Sequence, residues 1–459
     1  MKENRSLAIS SKIQECKVGN IIGMLEKEFP SSVLTSEETL IGLKTSRDRV
    51  FTINNTLLTM VLSSVQQDKT LKNSVGLYYM IHQQHQQECL KELEKKVQEE
   101  KEIDQQKSKQ RGRPKNYQIN LPKSLVNDIS LNTAAYSKAR SRVPQELVHQ
   151  LFTSSCIKDA KNDYTHWKGY RVFIGDGTYL QMQDTESIRE HYEVKYNGTV
   201  HEGYPQGLLE TITERGTGQV INFRLSSRHT SELPLFYEML DEMPTKSLLL
   251  LDDLYNCYEI LSKCKRKGIE MIVPAKRKRN YEVLEVIGKG DEIIQIKAPK
   301  NRSEWVKENE NEKDNTLLLR RIECESPDGK QYVLMTTLLE KTIEKEAIQA
   351  LYLTRWDIEI SIREIKTIMD INILRAKTPQ MALKELTVSL ATYNLIRKII
   401  YASIKNLPFF PKEGLIQKFY TFNTNILVDK KGRVYNRWST GRKRTGATTT
   451  ETTTAKKKA

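Results

Sequence analysis

The chain has 459 residues, 73 Lys and Arg against 58 Asp and Glu, and a formal net charge of +15. That length accommodates about three domains of ~150 residues each, with a sizeable core. No apolar run approaches the ~20 residues of a membrane span, Met1 to Ser10 carry no hydrophobic signal region, and the six cysteines form no Cys-x-x-Cys pair of the kind that builds a zinc ribbon. The excess of positive charge favours a polyanionic partner, because Lys and Arg release the counterions condensed on phosphates. Nucleic acid comes first and an anionic membrane surface second. A basic, cysteine-poor chain of this kind is expected inside the cell, with its thiols reduced.

Residues 1 to about 80 suggest helices, with candidate starts at Thr35-Ser36 and Thr45-Ser46. From Gln83 to Gln110 the composition turns to Glu, Lys and Gln, as in an exposed helix running into a linker. Arg111-Gly112-Arg113-Pro114-Lys115 either lies extended in an A·T-rich minor groove or is an ordinary basic linker. A helical pattern returns from Leu121 to Phe152. Tyr170 to Ile174 is a short apolar run, expected to be a buried strand with Asp176 at or near its end. Leu208 to Thr213 and Val220 to Leu225 flank a glycine-bearing reversal and predict a hairpin. Ser231 to Met243 has helical spacing. Ser247 to Leu251 reads as a buried strand leading into Asp252-Asp253. Tyr258 to Lys267 reads as a helix stopped at Gly268, and Ile269 to Val273 as a further strand. Residues 282 to 340 alternate apolar and polar residues between turn signals, as in an inserted set of strands. Helices are expected from about Thr342 to Met369 and from Pro379 to about Ile404. The last thirty residues hold ten Lys or Arg against one Glu among many Thr, a composition expected to be disordered.

Two strands that each end in an aspartate are a scaffold for metal-assisted phosphodiester chemistry. Such chemistry uses carboxylates around two Mg²⁺ ions about 3.5–4 Å apart, and hard cations prefer oxygen ligands. Taken singly, Asp176 beside glycine is also a common turn residue, and Asp252 a common helix cap. A third acid, Glu359, lies on a helical stripe. At about 100° per residue, Tyr352, Arg355, Glu359 and Lys366 fall within roughly 60° of one another. A carboxylate flanked by two cations and a phenol fits a metal ligand among phosphate contacts.

The spacing Tyr352-x2-Arg355-x3-Glu359-x6-Lys366 resembles the signature of the IS4 family of insertion-sequence transposases, and Ile174-Gly175-Asp176-Gly177-Thr178 resembles that family's first acidic motif. Leu248 to Tyr258 is similar to the second, except that Asp253 and Leu254 replace its usual Arg and Gly, which leaves Asp253 as the alternative to Asp252. The resemblance covers about residues 120 to 405. It implies an α/β ribonuclease-H-like (retroviral-integrase-like) catalytic core with a β-strand insertion, beside a helical N-terminal domain. The implied activity is cut-and-paste transposition: water nicks the element's end, and the freed 3′ hydroxyl attacks the opposite strand and later target DNA. Asp176, Asp252 and Glu359 are then the metal ligands, for two Mg²⁺ with Mn²⁺ as substitute. Tyr352, Arg355 and Lys366 become DNA contacts, with Arg111 and Arg113 beside them. Trp305 is a candidate for stacking on a flipped base, or an anchor of the inserted strands.

The expected organisation is a helical DNA-binding region over 1–110, linking helices over 111–163, core over 164–281 and 341–408, insertion over 282–340, and a basic tail over 409–459. The expected partners are double-stranded DNA, as terminal inverted repeats and target, and a second copy of the chain in the synaptic complex, with no membrane. The expected location is the bacterial cytoplasm, at the nucleoid. Two rival readings are a structure-specific nuclease on the same fold and an inactive, transposase-derived DNA-binding protein. His229 reads as a surface residue, His82 and His85 as solvated, and Cys257 and Cys264 as core.

Overall fold

A computed structural model describes residues 50–66, 68–106, 132–158, 166–192, 203–301, 303, 316–326, 329–356, 362–404, 426–428 and 434–436. The first described helices are α1 (Ile53–Ser64) and α2 (Leu71–Gln106), followed by α3 (Thr133–Arg142) and α4 (Gln145–Ser155). Asparagine 132 caps α3 by accepting from the Ala134 amide. The expected helix starts near Thr35 and Thr45, and the stretch 121–131, lie outside the described residues.

The sheet begins with β1 (His166–Trp167), β2 (Tyr170–Gln181), β3 (Gln206–Glu214) and β4 (Val220–Ser227), with α5 (Glu186–Tyr192) between β2 and β3. Helix α6 (Glu232–Met239) leads to β5 (Ser247–Leu250), and α7 (Tyr258–Arg266) leads to β6 (Glu270–Pro274). Strands β2, β3 and β4 form an antiparallel meander, whereas β5 lies parallel to β2 and β6 parallel to β5. Parallel pairing requires a crossover, and α6 and α7 supply it. The order β4-β3-β2-β5-β6 is the ribonuclease-H-like arrangement. As expected, α7 ends at Gly268, whose φ of +65° a side chain would strain.

Strands β7 (Glu282–Gly288), β8 (Asp291–Lys297), β9 (Thr316–Glu325) and β10 (Gln331–Thr336) fill the insertion. They form no separate layer. Strand β10 pairs antiparallel with β6, so the insertion lengthens the core sheet. Arg320 of β9, 1% exposed, meets Asp291 through two hydrogen bonds of 2.6 and 2.7 Å and anchors the extension.

Three clusters divide the interior. Phe173, Ile212, Leu249 and Leu251 face α6 and α7 on one side of the sheet. Val172, Ile174, Leu248 and Leu250 alternate with them and face Ile348, Leu351 and Tyr352 of α8 (Lys345–Leu353) on the other. Farther along that second side, Leu180, Leu209 and Phe223 pack with α1, α4 and α9 (Pro379–Ile404). Leu57 and Val61 share this last cluster with Leu386 and Ile396, so the N-terminal helix α1 is built into the core.

Four expectations need correction. Strand β2 does not end near Asp176 but runs on to Gln181, because β3 keeps pairing with it after β5 has stopped. The helix expected over 342–369 is not one regular helix: α8 ends at Leu353, a 3₁₀ turn covers Thr354–Trp356, and a π-helical turn covers Glu364–Ile368. His82 is not solvated but buried against the Tyr78 ring, because α2 still packs on the core at that turn; the His85 side chain lies outside the described residues. Within the last thirty residues, expected to lack order, β12 (Val434–Asn436) is a strand, pairing with β11 (Ile426–Val428), where apolar Val428 and Val434 face each other across the ladder.

Candidate active site

Strand register brings the two aspartates together. The last β2–β5 pair is Ile174 with Leu250. Two residues further along come Asp176, still on β2, and Asp252, beyond the end of β5; the alternation of Leu250 and Leu251 between the two faces, carried on, turns both toward the face of Ile174 and Leu250, and the Asp252 charge acts on Asp176. On that face the pair occupies the seam between the cluster under α8 and the cluster under α9. Asp252 ends β5 by capping the 3₁₀ turn Asp253–Tyr255, its Oδ1 accepting from the Leu254 amide at 2.7 Å. Asp176 Oδ1 accepts from the Gly177 amide at 3.0 Å. Burial pushes the Asp176 carboxyl up to about 6; the Gly177 N–H and the Arg355 charge oppose this, and Asp252 and Glu232 add to it.

Asp253 turns elsewhere. Its Oδ1 accepts from the Lys276 amide at 2.9 Å, so it braces the segment leaving β6. Asp252 is the neighbouring aspartate whose charge acts on Asp176.

The Tyr352–Lys366 stripe presumes one continuous α-helix, yet 3₁₀ and π turns break the phase of about 100° per residue. Its described members still converge on the aspartates. The Tyr352 hydroxyl donates to the Leu251 carbonyl at 3.2 Å, beside Asp252. Arg355 is close enough for its charge to act on both Asp176 and Tyr352, and its buried Nε has no hydrogen-bond partner among the described residues. Lys366 Nζ donates to Thr178 Oγ at 3.1 Å, two residues along β2 from Asp176. Behind Lys366, Glu364 meets Arg397 of α9 at 2.9 Å in a buried ion pair. Glu359, Arg111, Arg113 and Trp305 lie outside the described residues. Among the described residues, no group of three His, Cys, Asp or Glu is placed to hold a metal ion. The two carboxylates supply hard oxygen donors suited to a divalent cation, and the burial of Asp176 makes a neutralising cation favourable there.

Sequence reasoning missed two features. Lys276-Arg277-Lys278-Arg279 follows the C-terminal end of β6, next to the Asp253 turn, on the sheet edge where α/β proteins bind ligands. Arg279 donates to the Asn256 carbonyl at 2.6 Å, while its buried Nη1 has no hydrogen-bond partner among the described residues. Four consecutive cations were visible in the sequence. The second is Glu210, fully buried on β3 and joined by the Tyr255 hydroxyl at 2.7 Å. A lone acid in the apolar run Leu208 to Ile212 was its signal.

The transposase DDE domain family matches residues 167–395, a span that encloses Asp176, Asp252, Glu359 and the whole Tyr352–Lys366 signature. Two Escherichia coli K12 proteins are similar to the chain. The transposase InsG for insertion sequence element IS4 is 25% identical over 275 residues, 58% of this chain and 60% of that protein. The putative transposase InsZ is 26% identical over 161 residues, 34% of this chain and 54% of that protein. Residues 167–395 of the chain belong to the transposase DDE domain family. The chain spans 60% and 54% of the lengths of those two relatives. A cryo-EM structure of the piggyBac transposase synaptic complex with hairpin DNA aligns at a TM-score of 0.33 and 10% identity, over 64% of this chain and 57% of that one. DDE transposases as a family use divalent metal ions, in keeping with the carboxylates at the seam. No helix among the described residues is long and apolar enough to cross a membrane.

Proposed function

We propose that this protein cuts and rejoins DNA as a cut-and-paste transposase, with Asp176, Asp252 and Glu359 as ligands of two Mg²⁺ ions that Mn²⁺ can replace. The observation that carries the reading is the proximity of Asp176 to Asp252 and Arg355, whose charges both act on its carboxyl. When bound, the ions supply charge neutralisation at the phosphate and a more acidic attacking hydroxyl. The protein's own groups do the rest. Asp176 and Asp252 hold their positions through backbone amides at Gly177 and Leu254. Arg355 brings an uncommitted Nε to the seam and binds a phosphate oxygen. Lys366 gives a second cation, held to β2 through Thr178. Tyr352, with its proton on Leu251, braces the end of β5 and can accept a bond from DNA. Lys276 to Arg279 continue the positive surface along the strand ends, where they follow the DNA backbone.

The substrates in this reading are terminal inverted repeats and target DNA, bound by two copies of the chain at the nucleoid. Arg111 and Arg113 add minor-groove contacts, and Trp305 stacks on a base beside the cut. The test uses supercoiled plasmid carrying the DNA that flanks the gene, with Mg²⁺, Mn²⁺ or EDTA. Wild type is expected to excise and join ends only with metal. Asp176→Asn, Asp252→Asn and Glu359→Ala are expected to bind the same DNA without cutting it. Retained cleavage in Glu359→Ala sinks the ligand assignment. Nicks without joined products would make the protein a nuclease instead, and binding without any cut an inactive relative.

A further inference from the structure

The two aspartates stand on one face of the sheet, and a separate side-chain network stands directly behind them on the other. Asp252 caps the turn Asp253–Tyr255, and Tyr255, three residues on, emerges on the opposite face, where its ring packs on Phe236 at 4.7 Å between centroids. Its hydroxyl donates to Glu210 Oε1 at 2.7 Å and lies 3.2 Å from Glu232 Oε2. Glu210 is the cross-strand partner of Gly177, the residue after Asp176. The segment that carries Asp252 is therefore hydrogen-bonded, through one tyrosine, to the strand paired against the segment that carries Asp176.

Three further observations mark this link as specific. Glu210 has no exposed side-chain surface, and its Oε2 has no hydrogen-bond partner among the described residues. A buried carboxyl so placed is costly unless it does something. A β-carbon on residue 177 would stand 2.6 Å from Glu232 Cδ and 2.8 Å from Glu210 Oε2, so only glycine lets both acids close against β2. Glu210 stands apart from the Asp176–Asp252 pair, because alternation turns it to the other face, where Glu232 reaches Tyr255 from α6.

We infer that the Tyr255–Glu210 hydrogen bond is a positioning clamp that sets the separation of Asp176 and Asp252 from behind the sheet, and with it the affinity of the pair for a divalent cation. Parallel pairing stops at Leu250, so no ladder bond ties Asp252 to β2, and the clamp supplies the missing constraint. Outer partners that orient metal ligands in this way typically govern metal affinity by 10- to 100-fold. The inference rests on the metal-binding reading of the pair.

The test is Mn²⁺ binding to the full chain without DNA, followed through the electron paramagnetic resonance signal of free Mn²⁺. Tyr255→Phe keeps the ring on Phe236 and loses the clamp, so its affinity should fall by about 10- to 100-fold. Glu210→Met, similar in length without an acceptor, should fall alike and serves if Tyr255→Phe does not fold by circular dichroism. Glu210→Gln keeps an acceptor for the tyrosine and should retain wild-type affinity. Asp176→Asn is the control for the metal reading itself. Wild-type affinity in Tyr255→Phe or Glu210→Met, beside a loss in Asp176→Asn, overturns the clamp alone, since a merely structural network would lower the melting temperature without moving Mn²⁺ binding. A loss in Glu210→Gln as large as in Glu210→Met also overturns it. Unchanged binding in Asp176→Asn overturns the metal reading and the clamp together.

Discussion

Replacing Glu210 by glutamine should stabilise the protein by an amount that grows with pH. Burial first, and then the charges of Glu232, Asp176 and Asp252, push the Glu210 carboxyl from the ordinary 4.5 up to about 9. The folded state therefore keeps a proton that the unfolded chain gives up above about 4.5. The stability this group contributes is complete below that pH and is lost as pH rises toward 9. One proton corresponds to about 1.4 kcal/mol per pH unit, so the three units from pH 5 to 8 remove at most about 4 kcal/mol. Glutamine keeps the size and the acceptor for Tyr255 and does not titrate. Asp176, raised to about 6, weakens both proteins in the same sense, so the difference between them isolates Glu210. The assay is urea unfolding of wild type and Glu210→Gln at pH 5 and pH 8. The gap between them should widen by kilocalories toward pH 8. An equal gap at both pH values would refute the claim that Glu210 is held neutral in the folded protein.

The other expectations follow from single contacts. Arg397→Ala leaves Glu364 buried without its partner and should cost about 3–5 kcal/mol in urea unfolding, less when Glu364→Ala is added. Gly218→Ala should cost about 2 kcal/mol or more by the same measurement, because its β-carbon would lie 2.6 Å from the buried Arg397 guanidinium at a φ of +68°. Tyr352→Phe removes the bond to Leu251 at the end of β5 and should lower stability by about 1 kcal/mol in urea unfolding. Arg277→Ala with Lys278→Ala should weaken DNA binding evenly across sequences and flatten the salt dependence by about one unit of slope per lost phosphate contact, as read by titration at several salt concentrations.

The elements themselves were legible. Apolar runs such as Leu248 to Leu251 and the stop at Gly268 report local chemistry, so the strands and α7 appear near their expected places. Helix α9 has both its expected ends. The spacing from Tyr352 to Lys366 was legible as a pattern but not as a shape. Whether a helix stays α, tightens to 3₁₀ or opens to π depends on what it packs against, here Arg397 behind Glu364 and Leu251 beneath Tyr352. The preference for Asp252 over Asp253 had the same limit. Two adjacent acids after a strand look alike until the fold ties Asp253 to the Lys276 amide and brings the Asp252 charge against Asp176.

By itself the sequence determined which residues are acid, basic or apolar, the order of strands and helices, the Tyr352–Lys366 spacing, and a charge suited to a polyanion. Those are properties of composition and near neighbours. Only the tertiary structure decided that the insertion extends the core sheet through β10, that α1 shares a core with α9, and that Glu210 stands behind Asp176 although 34 residues separate them in the chain. Each depends on contacts between distant segments, where burial and cross-strand pairing outweigh local preference, and no periodicity along the chain records which segment a given face will meet.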